Sequence, residues 1–295
     1  ENHAVQLLIY NGIAAEKLCN PEWGDASASV MTVMEAKHLG EETAYVYDLC
    51  GNRLKKLDKS GTEEYHYNRK NQLTAAFLKK DKTAYRYDQQ GNLLKAAGAE
   101  GTTSYTYNAF NQQTAVLTAD GGKLENQYDA EYLRAGTIEN GEKRTFLYYQ
   151  GELIAEADKS EEPISRYILG YGVAAGWNQG REGYYSYHLD EQNSTAYILG
   201  AGGEIENVYQ YDVFGVIRKS QEGIQNRILY TGQQYDRISG QYYLRARYYN
   251  PVVGRFLQED VYRGDGLNLY AYCRNNPVVY YDPSGMIGER TPGYN

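Results

Sequence analysis

Residues 45–54 read Y-V-Y-D-L-C-G-N-R-L, and residues 85–94 read Y-R-Y-D-Q-Q-G-N-L-L. Each stretch has the chemistry of a strand that ends in a tight turn and starts back. Tyr45 and Tyr47 are two positions apart, so an extended backbone points both rings to one face. Asp48 can accept hydrogen bonds from amides just beyond it and open a turn. Gly51 supplies the positive φ that a tight turn requires, and Leu54 closes the pattern in the returning strand.

The pair recurs. Tyr47-Asp48, Tyr67-Asn68, Tyr87-Asp88 and Tyr107-Asn108 follow one another every 20 residues, and Tyr128-Asp129 comes at 21. Tyr148, Tyr167 and Tyr187 keep a spacing near 20 without the acid, and Tyr211-Asp212 returns after a longer gap. A second turn signal, Ser60-Gly61 or Glu100-Gly101, ends the unit. Two strands of about seven residues and two turns fill such a unit. The predicted fold class is therefore all-β: one long antiparallel strip of hairpins. A strip has edges to protect, so it is expected to curl or pack turn on turn into a wound strip or partial shell, with an ordinary open meander as the rival reading. Nine or ten hairpins give roughly 18–20 strands and a strip about 90 Å long, about 29 Å across if closed once. A 100-residue passenger is about 34 Å across and would not fit folded inside that wall.

Composition agrees with a large β surface. The chain carries 33 Tyr against 5 Phe and 2 Trp. Tyrosine suits pleated, half-buried surfaces where its hydroxyl finds a partner. A net charge of −8 argues against the shell itself binding nucleic acid through phosphates. Cys19, Cys50 and Cys273 lack metal-ligand spacing and His3, His38, His66 and His188 are scattered, so neither metal nor cofactor is expected. No apolar run approaches the length of a transmembrane segment, and Glu1 opens no signal peptide. Export is assigned to parts outside this sequence.

Four regions follow. In residues 1–40, Leu7-Leu8-Ile9-Tyr10 reads as a strand ending at Asn11-Gly12. Asp25 as cap, Val30, Val33 and Met34 at helical spacing, and Gly40 as stop predict one short helix. Residues 41–240 are the hairpin repeats. Within them residues 170–183, with five glycines, break the period and read as a loop or plug that buries Trp177. Residues 241–286 form the terminal segment, and 287–295 read as a linker or the start of a passenger. His188, Asp190 and Ser194 are triad residue types, but they fall within seven positions, where triad geometry is hard to reach. They are read as a turn.

The richest stretch is Arg245 to Met286, R-A-R-Y-Y-N-P-V-V-G-R-F-L-Q-E-D-V-Y-R-G-D-G-L-N-L-Y-A-Y-C-R-N-N-P-V-V-Y-Y-D-P-S-G-M. It resembles the core domain of Rhs/YD-repeat proteins, a group with bacterial polymorphic toxins, the C component of insecticidal Tc toxins and, more distantly, the animal teneurins. The family run R-Y-Y-x-P-x-x-G-R-F, G-L-N-L-Y-x-Y-x-x-N-x-P and D-P-x-G is matched at Arg247–Phe256, Gly266–Pro277 and Asp282–Gly285. Tyr187–Thr195 is a degenerate form of another family segment, with Glu191 and Asn193 departing from it. The resemblance implies a hollow spiral that encloses a C-terminal toxin, and an aspartic-protease-like site that cuts after D-P-x-G. Asp260 and Asp282 stand 22 apart, as the family's two acids do; Asp260-Val261-Tyr262-Arg263 lacks the family's Pro and Gly.

Paired acids have a chemical logic. Two close carboxylates share a proton, so one can activate water while the other protonates the carbonyl. A guanidinium would hold one of them ionised; Arg247 is favoured by resemblance and Arg255 is the second candidate. The expected scissile bond is Met286-Ile287. Against this stands a purely structural reading, since Asp-Pro-Ser-Gly is a good type I or II turn. The expected partners are the chain's own C-terminal toxin passenger in cis and a secretion apparatus or chaperone, in a secreted or cell-surface setting. The alternative function is a non-catalytic, teneurin-like recognition module that binds carbohydrate or a partner protein.

Overall fold

The computed structural model describes residues 6–11, 30–38, 41–264 and 266–291. β1 (Gln6–Asn11) pairs with β2 (Val30–His38), and β2 with β3 (Glu41–Asp48). The chain then runs hairpin after hairpin to β20 (Ile217–Glu222), giving one 20-stranded sheet. Every ladder in that sheet is antiparallel and joins sequence neighbours, and among the described residues none joins β20 back to β1, so the strip is curled but open.

Two expectations are corrected. The short helix is absent: Val30–His38 is a strand with partners on both sides. Its V-M-T-V-M-E-A-K-H sequence fits period 2 as well as 3.6, and two ladders of pairing outweigh a weak helical pattern. The cap at Asp25 and the stop at Gly40 lie outside the described residues. Residues 170–183 are likewise no plug: Val173–Asn178 pairs on both sides as β16, next to β15 (Pro163–Leu169). Gly176 survives in that strand because Tyr185 packs where a Cβ would stand, at 2.5 Å. Trp177 is half-buried, with the Arg166 guanidinium 5.4 Å from its ring.

The repeat signature has a local cause in each letter. The acid or amide after the tyrosine caps its turn. Asp48 Oδ1 accepts from the amides of Cys50 and Asn52 at 2.9 and 2.8 Å, and Asn68, Asp129 and Asp212 do the same in their turns. Where the sequence lost the acid after Tyr187, Asp190 caps that turn instead, and at the opposite edge Asp158 caps the turn between Ala157 and Pro163. Three residues past the cap the chain turns left-handed, at Gly51 (φ 74) and Gly91 (φ 86) and equally at Asn71 (φ 60). That is the three-residue hairpin with its bulge. The Asn of Gly-Asn ties one turn to the next, through Asn52 to Asn71 and Asn92 to Asn111, both at 2.9 Å.

The second tyrosine of the pair joins hairpin to hairpin. The hydroxyls of Tyr67, Tyr128, Tyr148 and Tyr211 donate to the carbonyls of Arg53, Gln113, Arg134 and Thr195 at 2.8–3.0 Å. Each acceptor opens the returning strand of the preceding hairpin. The spacing of 14 to 16 residues is thus set by reach across two strands.

The inner face is covered by the chain's own end. After β20 the backbone builds a small sheet of β21 (Gln234–Asp236), β22 (Gln241–Leu244), β23 (Arg247–Asn250) and β24 (Arg255–Phe256). Tyr243, Tyr248 and Leu257 pack on Leu93, Tyr105, Val116 and Leu124 of the strip. Val253 packs on Tyr65 and Leu73, and Ile224 and Ile228 on Phe146, Tyr167 and Tyr187. Tyr230, Tyr242, Tyr249 and Tyr272 form one cluster with Tyr209 and Tyr211, the Tyr230 ring against Tyr211 and Tyr249 stacked on Tyr242 and Tyr272. The interior is a tyrosine-rich core rather than a lumen. At its centre Arg134 of the strip, fully buried, bonds Asp236 of the inner segment at 2.5 Å. Arg227 reaches Asp236 at 3.3 Å and binds the strip's Glu139 and Glu156 at 2.7 and 3.3 Å.

Two stability predictions follow from this packing. Asp236→Ala leaves two buried guanidinium groups short of a partner, and should cost about 3–5 kcal/mol in denaturant unfolding. Tyr67→Phe removes one inter-hairpin hydrogen bond and should cost about 1 kcal/mol in the same measurement.

Candidate active site

Three pieces of the inner segment meet at one end of the core. β23 begins with Arg247, the chain just past the next strand, β24, reaches Asp260, and the stretch after β25 (Tyr280–Tyr281) reaches Asp282. All three side chains are buried, with 5%, 8% and 2% of their surface exposed. One nitrogen of the Arg247 guanidinium lies 2.7 Å from Asp260 Oδ2 and 3.8 Å from Asp282 Oδ2. Acids 22 positions apart thus reach a single cation.

That cation is itself fixed. Its plane stacks 3.6 Å above the Phe256 ring centroid, its Nη1 donates to the Leu269 carbonyl at 3.0 Å, and its Nε donates to the Gly285 carbonyl. A guanidinium with this many partners orients charge rather than merely supplying it.

Asp282 organises the loop around it. Its Oδ1 accepts from the amides of Ser284, Gly285 and Met286 at 3.1, 2.8 and 3.3 Å. Gly285 has φ +73, and an added Cβ would meet the Leu244 carbonyl oxygen at 2.3 Å and the Arg247 amide at 2.9 Å. Glycine is required here by the close backbone approach as well as by conformation. Asp260 keeps part of the same device: its Oδ1 accepts from the Tyr262 amide at 2.8 Å without the Pro and Gly of the full motif.

Burial pushes the Asp282 carboxyl above its ordinary value, against the opposing pull of Arg247 and the three amides. Desolvation disfavours the charged form, and here it outweighs the stabilising contacts. A carboxyl pushed toward its neutral form beside an ion-paired one is the electrostatic pattern of an acid–base couple.

Arg255 is elsewhere. Its guanidinium bonds Asn52 Oδ1, the Asn71 carbonyl and Asn268 Oδ1 at 3.3, 2.6 and 3.1 Å and stacks over Tyr67, so it fastens the inner segment to two turns of the strip. Met286 is half-buried, and Ile287 beyond it is 44% exposed. The residues of the discarded triad serve the fold: Asp190 caps its turn through the Ser194 amide, and Ser194 Oγ accepts from the Thr231 amide at 3.1 Å. No cluster of three or more metal-ligating side chains occurs among the described residues.

Comparison with known proteins places this architecture. The family described as Teneurin YD-shell matches residues 24–278. The chain belongs to the YD-shell family. Among curated relatives, it is 35% identical over 170 residues to the tRNA nuclease WapA of Bacillus subtilis, covering 54% of this chain and 7% of that protein. It is 33% identical over 146 residues to the toxin subunit YenC1 of Yersinia entomophaga, covering 48% and 14%. A solved structure, the TcdB2–TccC3 crystal structure, superposes with a TM-score of 0.52 at 16% identity, over 86% of this chain and 18% of that one. The fold is therefore that of a YD shell, and this chain spans a small part of its relatives' length.

Two measurements test the site as a structure. A carboxyl raised in the folded state holds its proton more tightly there than in the unfolded chain. Asp282 therefore adds stability below its ordinary value of 3.8, and that contribution is lost as pH rises through the higher folded value. Unfolding free energies taken across that range should show the parent losing ground to Asp282→Asn as pH rises. Gly285→Ala should cost about 1–3 kcal/mol and lower the hydrogen-exchange protection of the Ser284–Met286 amides.

Proposed function

We propose that this chain is the self-cleaving end of a YD shell that presents a C-terminal effector in cis and releases it by aspartic-type hydrolysis. The observation that carries the reading is one buried guanidinium shared by two buried carboxylates, beside the loop that leads out of the core. Asp260, held ionised by Arg247, takes a proton from water. The water oxygen attacks the Met286 carbonyl carbon. Asp282 delivers its proton to the carbonyl oxygen; the adduct then collapses as Asp260 passes the proton it took to the Ile287 nitrogen, the C–N bond breaks, and Asp282 regains a proton from an adduct hydroxyl.

The choice of Met286-Ile287 rests on which peptide is held. The Gly285–Met286 peptide has its oxygen on Arg247 and its N–H on Asp282. Contacts already made in the ground state anchor a group without lowering its barrier. The held peptide fixes the register, and the next one is presented to the acids. The likeness to WapA and YenC1 over half of this chain supports an effector beyond the shell. The passenger's identity, a chaperone or secretion apparatus as partner, and a secreted or cell-surface location in interbacterial competition belong to the same proposal.

A chain tagged after Asn295 should yield a released piece beginning at Ile287 by mass spectrometry. Asp260→Asn and Asp282→Asn should each slow its appearance at least about 100-fold, and the parent rate should fall as pH rises through the Asp282 value. An intact parent chain would instead leave the shell as a scaffold or recognition module.

A further inference from the structure

We propose that Arg245 is a positioning residue that ties the exit loop to the shell wall, so that cleavage waits for that part of the wall to dock. This inference rests on the self-cleavage reading above and adds the device that sets its register and timing.

Three consecutive carbonyls of the exit loop are met by three consecutive residues, the two of the β22–β23 turn and the first of β23. The Pro283 carbonyl accepts from Arg245 Nη1, the Ser284 carbonyl from the Ala246 amide at 3.1 Å, and the Gly285 carbonyl from Arg247 Nε. With Asp282 Oδ1 taking the amides of Ser284, Gly285 and Met286, the polar backbone from Pro283 to the Met286 amide is engaged. A grip of this kind leaves the loop one register against the acids.

Arg245 differs from the other two grips because it also holds the wall. Its Nε donates to the Gly151 carbonyl at 3.0 Å and its Nη2 pairs with Glu152. Gly151 and Glu152 lie at the hairpin between β13 (Glu142–Tyr149) and β14 (Glu152–Ala157), nearly a hundred positions earlier in the chain. Gln150 and Gly151 are both left-handed, at φ 51 and 80, the tight two-residue turn that offers a carbonyl outward. One planar guanidinium therefore spans wall hairpin and exit loop with all three of its nitrogens. Arg245 itself is held at φ +58, where glycine or asparagine is usual. The site keeps an arginine in a conformation that disfavours it, in a position where only a long, three-pronged donor makes both contacts.

The consequence is a dependence of chemistry on assembly. The two acids and Arg247 belong to the inner segment alone, and could meet before the wall is in place. The Pro283 grip reaches the wall, so the loop gains its final register when the β13–β14 hairpin has docked. A misplacement of about 1 Å at a reacting centre costs on the order of 100-fold in rate.

The test uses the full chain with a tag after Asn295, followed by intact-mass spectrometry during a chase after cell-free synthesis. Folded fraction is read in parallel by near-ultraviolet circular dichroism. Arg245→Ala should slow release about 10- to 100-fold at an unchanged folded fraction, and spread the cut over neighbouring bonds. Arg245→Lys, keeping one donor, should fall between. Glu152→Gln should slow release a few-fold, and adding it to Arg245→Ala should slow nothing further, because both act through one link. Release by Arg245→Ala at the parent rate and bond overturns the proposal, as does slowing that only tracks lost fold or that adds to Glu152→Gln. A parent chain that releases nothing overturns the cleavage reading, and this proposal with it.

Discussion

A long meander of hairpins has one face that water must not reach, and here the chain supplies the cover from its own end. The inner tyrosines pack on residues 224–278, including the small β21–β24 sheet, rather than around a cavity. The ion cluster of Arg134, Asp236 and Arg227 fixes that cover at one register, since a buried guanidinium left without its carboxylate is costly. Everything at the site depends on this seating. Arg247, Asp260 and Asp282 come from three places in the inner segment, and the Pro283 grip reaches across to the strip.

The same arrangement grades exposure over the residues that follow Asp282. Asp282 and Gly285 are buried and fully engaged, Met286 is half-buried, and Ile287, Glu289 and Arg290 are exposed. Beyond Ile287 the backbone folds back, Glu289–Arg290 pairing with Tyr280–Tyr281 and the buried Thr291 donating its amide to the Val279 carbonyl at 2.8 Å. Asp260 is paired with the cation, and Asp282 is pushed toward its neutral form by burial. On the proposed self-cleavage, that inequality is what separates the base from the acid.

Much of this was legible in the sequence. The tyrosine pair spaced by two, the acid after it and the Gly-Asn that follows specified strand, cap and turn, because all three are local devices. The strand count was readable for the same reason. The approach of Asp260 and Asp282 to Arg247 was legible through family resemblance alone, since no local rule brings positions so far apart together. The inner segment's role as the core was not legible: its tyrosines look like those of the strip, and burial depends on which face meets which. Val30–His38 and Val173–Asn178 were misread because short apolar runs fit two periods or are masked by glycine, and pairing decides between them. Arg255 was expected near the acids from its spacing, yet its partners Asn52 and Asn71 lie far back in the chain. The same blindness hid Arg245, whose wall contacts are 93 and 94 positions away.

The central claim is that the last part of the chain is folded inside the strip and holds the exit loop there. Native-state hydrogen exchange at the amides of Ser284, Gly285 and Met286 tests it most directly. These amides should exchange only with opening of the core, at protection comparable to that of Tyr243 and Tyr248. Exchange as fast as that of an exposed tail would contradict the account.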